Sequence, residues 1–229
     1  MVYTLIVVTI LLLNFSSCLC VSNNTFGQKG FVSALATWYG DEKGAGSGGA
    51  CGWDDDVKYS PLSSMIAAGN ANIFLKGKGC GHCFQIFCSQ PPYCSGNPVT
   101  VTITDECPGA CNNVPFHFDL SGFAFGSMAK PGQDHNLRQL GQVTVGYKSY
   151  GDKKIVFRVS NKCNTYWFGV ALEDADGDGG FRSVEIAADG TQNFVGMENI
   201  WGAVWRRNID PSFNLHFHSG SPLLMEKPL

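Results

Sequence analysis

"TITDECPGACNNVPFHFD", residues 102–119, brings two carboxylates, Asp105 and Asp119, and one imidazole, His117, onto short runs of strand type. A Cys-Pro-Gly-Asn cluster separates the two runs, as a turn would. The same alternation of β-rich runs and turn clusters extends outward from this stretch. From Phe31 to about Gly146 the runs are "SALATWYG", "CFQIFC", "PVTVTITDE", "FHFDLSG" and "GQVTVGYK". Gly, Pro, Asn and Ser clusters between them predict a compact β-barrel with functional loops. Only "SPLSSMIAAGNANIF" and "SGFAFGSMA" have the composition for a short helix. From Lys153 the alternation is cleaner, in "KIVFRVS", "YWFGVALE", "FRSVEIAA", "WGAVWRRN" and "SFNLHFHS", and its spacing suits an antiparallel sandwich. "YGDKK" is the expected linker.

Composition agrees with an all-β reading. The chain has 229 residues, 44% hydrophobic and 15% charged, with 28 glycines and 12% aromatics. A net charge of −3 and a pI of about 5.9 supply no basic field for a polyanion, so nucleic acid is an unsuitable partner. The apolar run Leu5–Leu13 is too short to span a bilayer and reads as the core of a secretory signal, residues 1–20, cleaved after Cys20 with Cys18 at −3. No later stretch has transmembrane character, and "NNT" makes Asn23 an N-glycosylation acceptor. Beyond the signal, seven of eight cysteines fall between 51 and 111, a disulfide framework for the first half of the chain. The expected domains are 21–147 and 153–229.

Two motifs point elsewhere and are set aside on their flanks. "CGHC", residues 80–83, lacks the following helix that lowers a redox thiol's pKa, so its cysteines are expected to have different structural partners. No four ligands with zinc spacing assemble around it. "DADGDGGFRSVE", residues 174–185, fits the calcium-loop pattern, but its flanks are strands rather than the helices an EF-hand needs. It is read as an acidic hairpin turn. No metal and no cofactor are expected.

Three pieces carry the chemistry: "TWYG" (37–40), "GGACGW" (48–53) and the opening stretch. Aromatic faces stack on sugar rings, and carboxylates and hydroxyls meet ring hydroxyls, so this set points to a polysaccharide. With "GKGCGHCFQIFC", "SGNPVTVTITDECPG", "HFDLSGFAFGSMAKPG", "DGDG" and "WGAVWRR", in this order over about residues 35–207, the chain resembles the β-expansins, the group that includes the group-1 grass-pollen allergens. The resemblance implies a six-stranded double-psi β-barrel, related to family-45 glycoside hydrolases, followed by an immunoglobulin-like β-sandwich of the cellulose-binding type. It implies a secreted, monomeric cell-wall-loosening protein that acts on cellulose, xylans or other matrix glycans without hydrolysis. Carried over by position, Thr37, Trp38, Tyr39, Asp105, His117 and Asp119 line the barrel groove, with Trp38 and Tyr39 as a stacking platform and Asp119 at the position of the hydrolases' acid. Trp167 and Trp201 match the second domain's exposed aromatics, and Arg206 follows them. Alternation puts Trp201 and Trp205 on one face, with Trp205 the one expected to be buried.

The chain also departs from that family. The cysteine usual after the last barrel strand is missing, so the expected pairs are Cys51–Cys80, Cys88–Cys94 and Cys107–Cys111, leaving out Cys83 and Cys163. The family's acidic residue before "GGACG" is absent, and the chain ends at "SPLLMEKPL", short of the usual last strands, which predicts an exposed sandwich edge. Two other readings compete: an active endoglucanase, and a carbohydrate-binding protein without loosening activity. Inverting hydrolysis needs an acid and a base roughly 6.5–9.5 Å apart. Asp105 is expected to tune Asp119 rather than act as that base, and Asp41, in the flexible "YGDEKGAGSGG" loop, has nothing to hold it.

Overall fold

Strand β1 (Val32–Tyr39) alternates buried Ala34 and Ala36 with more exposed neighbours, the period expected of a strand covered on one face. In the computed structural model, which describes residues 30–46, 49–151, 156–160, 162–173, 181–213 and 223–226, five further strands close around the same core. They are β2 (Ile66–Gly69), β3 (Cys83–Phe87), β4 (Val99–Glu106), β5 (His117–Ser121) and β6 (Gln142–Ser149). Their order round the closed barrel is β1-β5-β2-β4-β3-β6. The pairs β1–β5 and β2–β4 are parallel and the other four antiparallel, so this is the double-psi β-barrel. Ile66, Ile86, Ile103, Phe118 and Leu120 fill it, all without solvent exposure.

The run "SPLSSMIAAGNANIF" holds a short helix, as its composition allows, but also a strand that the composition does not signal. Ile66–Gly69 is the strand β2, and only the single turn α1 (Ala71–Phe74) is helical. Alanine's helix preference is a few tenths of a kcal/mol per residue, and a four-residue strand bonded on both edges overrides it. Helix α2 (Gly122–Ser127) lies where "SGFAFGSMA" predicts it, capped by Ser121, whose hydroxyl accepts from Ala124 N–H at 3.0 Å and donates to Ser64 O at 2.6 Å. A third helix, α3 (Asp134–Gln139), was not legible in the sequence. Its buried Arg138 donates to Gly122 O at 2.8 Å and pairs with Asp134 at 2.7 Å.

The second half forms two facing sheets. One holds β11 (Glu198–Trp201), β12 (Val204–Asn208), β8 (Trp167–Glu173) and β7 (Val156–Val159); the other holds β10 (Val195–Gly196), β9 (Ser183–Ile186) and β13 (Leu223–Glu226). Phe168, Val170, Leu172, Val184, Ile186 and Trp205 make the core between them. Trp205 is 6% exposed and Trp201 45%. The even spacing does not put them on one face, because the chain reverses at Gly202 between β11 and β12 and the register pairs Trp201 with Val204. The expected strand "SFNLHFHS" falls mostly outside the described residues. So do the signal and Asn23, the 174–180 part of the calcium-like loop and most of the linker.

Disulfides join Cys51–Cys80, Cys88–Cys94 and Cys107–Cys111, with Cys83 and Cys163 outside all three. Among the described residues no helix is long and apolar enough to cross a membrane. Replacing the fully buried Phe118 by Ala leaves a cavity at the barrel's centre; the expected loss is about 3–5 kcal/mol, read from denaturant unfolding.

Candidate functional site

The register of four neighbouring strands writes two parallel rows across the barrel wall. One row is Trp38 (β1), Leu120 (β5), Ala67 (β2) and Ile103 (β4), which points into the core. The adjacent row is Thr37, Asp119, Ala68 and Asp105, which points outward. Asp105 joins it only because the β2–β4 ladder shifts register between Ala67 and Ala68. An extra residue, Thr104, then lies in β4 between the partners of these two alanines, the geometry of a β-bulge. Asp119 and Asp105 are thus two strand spacings apart, ~10 Å between backbones, with only the methyl group of Ala68 between them.

Within the outward row the Thr37 hydroxyl is central. It donates to Asp119 Oδ1 at 2.5 Å and lies 2.8 Å from His117 Nε2. A hydroxyl has one proton, so while Thr37 gives it to Asp119, His117 must donate from Nε2–H. That tautomer leaves Nδ1 as a bare acceptor, and Nδ1 is buried without a hydrogen-bond partner. Because Thr37 occupies Oδ1, a proton taken up by Asp119 goes to Oδ2. This oxygen faces the Cys107 sulfur at 3.9 Å, which, as part of a disulfide, has no proton to give.

Asp105 is held differently. Its Oδ1 accepts from Ala50 N–H at 2.7 Å and from Glu106 N–H at 2.8 Å. Gly49 permits this approach: its φ is +49°, and a Cβ there would collide with the Asp105 carboxylate. "GGACGW" is therefore a clamp on Asp105, a contact between segments 55 positions apart that no local pattern signals. Tyr39 shares the outward side of β1, and Gly46 packs against the phenol end of its ring.

Trp38 and Tyr39 do not make one platform. Successive strand residues point to opposite faces, and β1 stays regular through Tyr39. Trp38 packs on the barrel core, and its Nε1–H donates to Arg138 O at 3.0 Å. The loop after β1 is also more ordered than its glycines suggest. Gly44 N–H donates to Asp41 O at 2.9 Å, Phe123 N–H donates to Gly44 O at 3.3 Å, and Glu42 pairs with His135 at 3.1 Å. These contacts fix the backbone, while the Asp41 side chain remains exposed.

In the second domain the outer sheet face carries Trp167, whose ring folds over Gly169, and Arg206, paired with Glu198 at 2.9 Å. Trp201 lies apart from this pair, at the hairpin tip against Phe74 and Gly77 of the barrel. Arg158 reaches the barrel as well, with a 3.3 Å bridge to Asp56. Among the described residues no group of three His, Cys, Asp or Glu side chains is placed to hold a metal ion.

A family described as lytic transglycolase matches residues 66–147, and the expansin C-terminal domain matches residues 155–222. The chain is 44% identical to expansin-B4 of Arabidopsis thaliana over 213 residues, which are 89% of this chain and 82% of that one. The chain belongs to the β-expansins. It is also 41% identical to pollen allergen Lol p 1 of Lolium perenne over 189 residues, covering 79% of this chain and 70% of the allergen. The expansin of Clavibacter michiganensis shares the fold of this β-expansin, with a TM-score of 0.54 at 19% identity over 85% of this chain and 89% of that one. A mutant of that bacterial protein has been solved in complex with cellohexaose.

The electrostatics of this outward row in the β-expansin follow from its half-burial. Burial pushes the Asp119 carboxyl above its ordinary value of 3.8; the Thr37 hydroxyl and His117 pull it back, and the charge of Asp105 adds to the rise. Burial holds the His117 imidazole below its usual value, against the pull of Asp119. Tyr39 is raised out of the usual phenol range, first by burial and then by the two carboxylates. Asp119 binds its proton more tightly folded than unfolded, so its contribution to stability is complete below 3.8 and is lost as pH rises through the raised midpoint. Asp119→Asn removes that loss. Calorimetry should show the variant melting above wild type at pH 7, with the gap closing on acidification and gone below the ordinary carboxylate value.

Proposed function

We propose that the protein is secreted and loosens plant cell walls, binding wall polysaccharides in the barrel groove and on the outer sheet face, and that it does not cut them. The reading takes residues 21–147 as the groove-bearing unit and 153–229 as the second binding unit. Family membership supports the wall-loosening role, and the bacterial relative's cellohexaose complex supports a β-linked glycan as the ligand class.

The observation that carries the non-hydrolytic part is the unequal state of the acids. Asp119 is the groove's proton holder, raised by burial. A hydrolase of inverting type would need a second carboxylate free to activate water on the opposite face of the sugar. Asp105 has one oxygen already committed to two backbone N–H groups and sits in the same row as the acid, not across from it. Asp41 is exposed, with only its backbone pinned. A catalytic group misplaced by even about 1 Å loses on the order of a hundredfold in rate. Protonated Oδ2 of Asp119 instead donates a hydrogen bond to a glycan hydroxyl, and Thr37, Tyr39, His117 and Asp105 shape the groove around it.

The deciding experiment pairs two readouts on heat-killed wall specimens: extension under load and release of reducing ends. The expected result is extension with reducing ends at background, and reduced extension for Asp119→Asn. Steady release of reducing ends by wild type, abolished in Asp41→Ala, would establish a glucanase; binding with no extension would leave a carbohydrate-binding protein.

On the second domain, Trp167 and Arg206 are proposed to contact a flat glucan face, with the half-exposed Trp201 at its barrel end. Trp167→Ala should lower retention on crystalline cellulose by about 1 kcal/mol or more, as for truncating an aromatic anchor of a binding surface. Pull-down isotherms of the full chain check this, and unchanged retention would remove Trp167 from the surface.

A further inference from the structure

We propose that Trp201 is a positioning residue through which the second domain holds the Asp105 carboxylate in the barrel groove. The chain of contacts is short. At the tip of the β11–β12 hairpin the Trp201 ring lies on Gly77, its centroid 6.2 Å from that of Phe74, and its Nε1–H donates to the Ala50 carbonyl. On its other side Ala50 donates its own N–H to Asp105 Oδ1 at 2.7 Å. One alanine thus takes a hydrogen bond from the second domain and gives one to the groove.

The tip is seated closely. Gly202 has a φ of +51°, and a Cβ there would come within 2.6 Å of the Gly77 carbonyl and 2.9 Å of the Cys80 sulfur. The Cys51–Cys80 disulfide ties the Ala50 side of this cradle to the Gly77 side. Before Ala50, Gly49 has a φ of +49° and carries no side chain that could anchor the turn. Ala50 is held by the disulfide next to it and by Trp201.

Asp119 reports on this arrangement. The groups facing it are His117 on its own strand, Thr37 and Tyr39 on β1, and Asp105 on β4, whose charge adds to the rise of its carboxyl. If Trp201 lets go of Ala50, the Asp105 carboxylate is released toward solvent and its push on Asp119 weakens. The consequence for wall loosening rests on the function proposed above: a glycan that pulls on the outer sheet face also adjusts the groove. The readouts below involve no glycan, so they succeed or fail apart from that reading.

Trp201→Phe keeps a ring on Gly77 and removes the indole N–H. In the full-length variant, amide exchange at Ala50 should quicken by about tenfold or more. The Asp119 midpoint, followed by carboxyl carbon NMR, should fall by about 0.3–1 pH unit. Asp105→Asn should lower the midpoint at least as far, and adding Trp201→Phe to it should change nothing more. A folded Trp201→Phe with Ala50 exchange and the Asp119 midpoint unchanged overturns the proposal. So does an equal fall when residue 105 is already Asn, which would mark a general packing effect. Should Trp201→Phe fail to fold, wild type decides: its Trp201 indole proton resonance should shift along the Asp119 titration, and a resonance flat through that range rejects the coupling.

Discussion

The register of β1, β5, β2 and β4 is the constraint on which the site depends. Closing six strands into a barrel leaves no edge along which one of them can slip. A slip of one residue would exchange the two rows, sending Leu120, Ala67 and Ile103 to solvent and Asp119 into the core. The apolar row thus enforces the polar one. The single irregularity, the register shift in the β2–β4 ladder, turns Asp105 outward into line with Asp119, where the two carboxylates influence each other.

That arrangement separates the two acids by what satisfies them. Asp105 accepts two backbone N–H groups, the kind of partner that stabilises charge. Asp119 has the Thr37 hydroxyl on one oxygen and a proton-free sulfur near the other, while burial disfavours its charge. A row with one proton-holding acid and one carboxylate bound by backbone N–H groups can both donate to and accept from hydroxyls. On the function proposed above, it grips without the positioned base that would turn the grip into cleavage.

Much of this was legible in the sequence where a residue type has one physical reading. Alternation in "SALATWYG" and "PVTVTITDE" marked strands, and Thr37, His117 and Asp119 proved to be hydrogen-bonded neighbours. The resemblance supplied the three disulfide pairs that the structure contains. What failed depended on tertiary context. "IAAG" has no strand signature of its own and is a strand because neighbours bond both its edges. Trp38 and Tyr39 read as a pair by adjacency, yet adjacency in a strand means opposite faces. Trp201 is half-exposed, as an exposed aromatic was expected to be, but its bond to Ala50, 151 positions away, leaves no trace in local pattern. The extra residue of the bulge, Thr104, is equally silent, since no glycine or proline lies in β4 to mark it.

The central claim is that Asp119 serves the groove as a proton-dependent grip on glycan and not as half of a hydrolytic pair. Calorimetric titration of wild type with a soluble matrix oligosaccharide, between pH 3.5 and 7 in buffers of different ionisation enthalpy, tests it most directly. The account predicts affinity that rises as pH falls through the raised Asp119 midpoint, with net proton uptake on binding, no pH dependence in Asp119→Asn, and oligosaccharide recovered at its original length. Affinity independent of pH in wild type, together with shortened oligosaccharide after the titration, would contradict it.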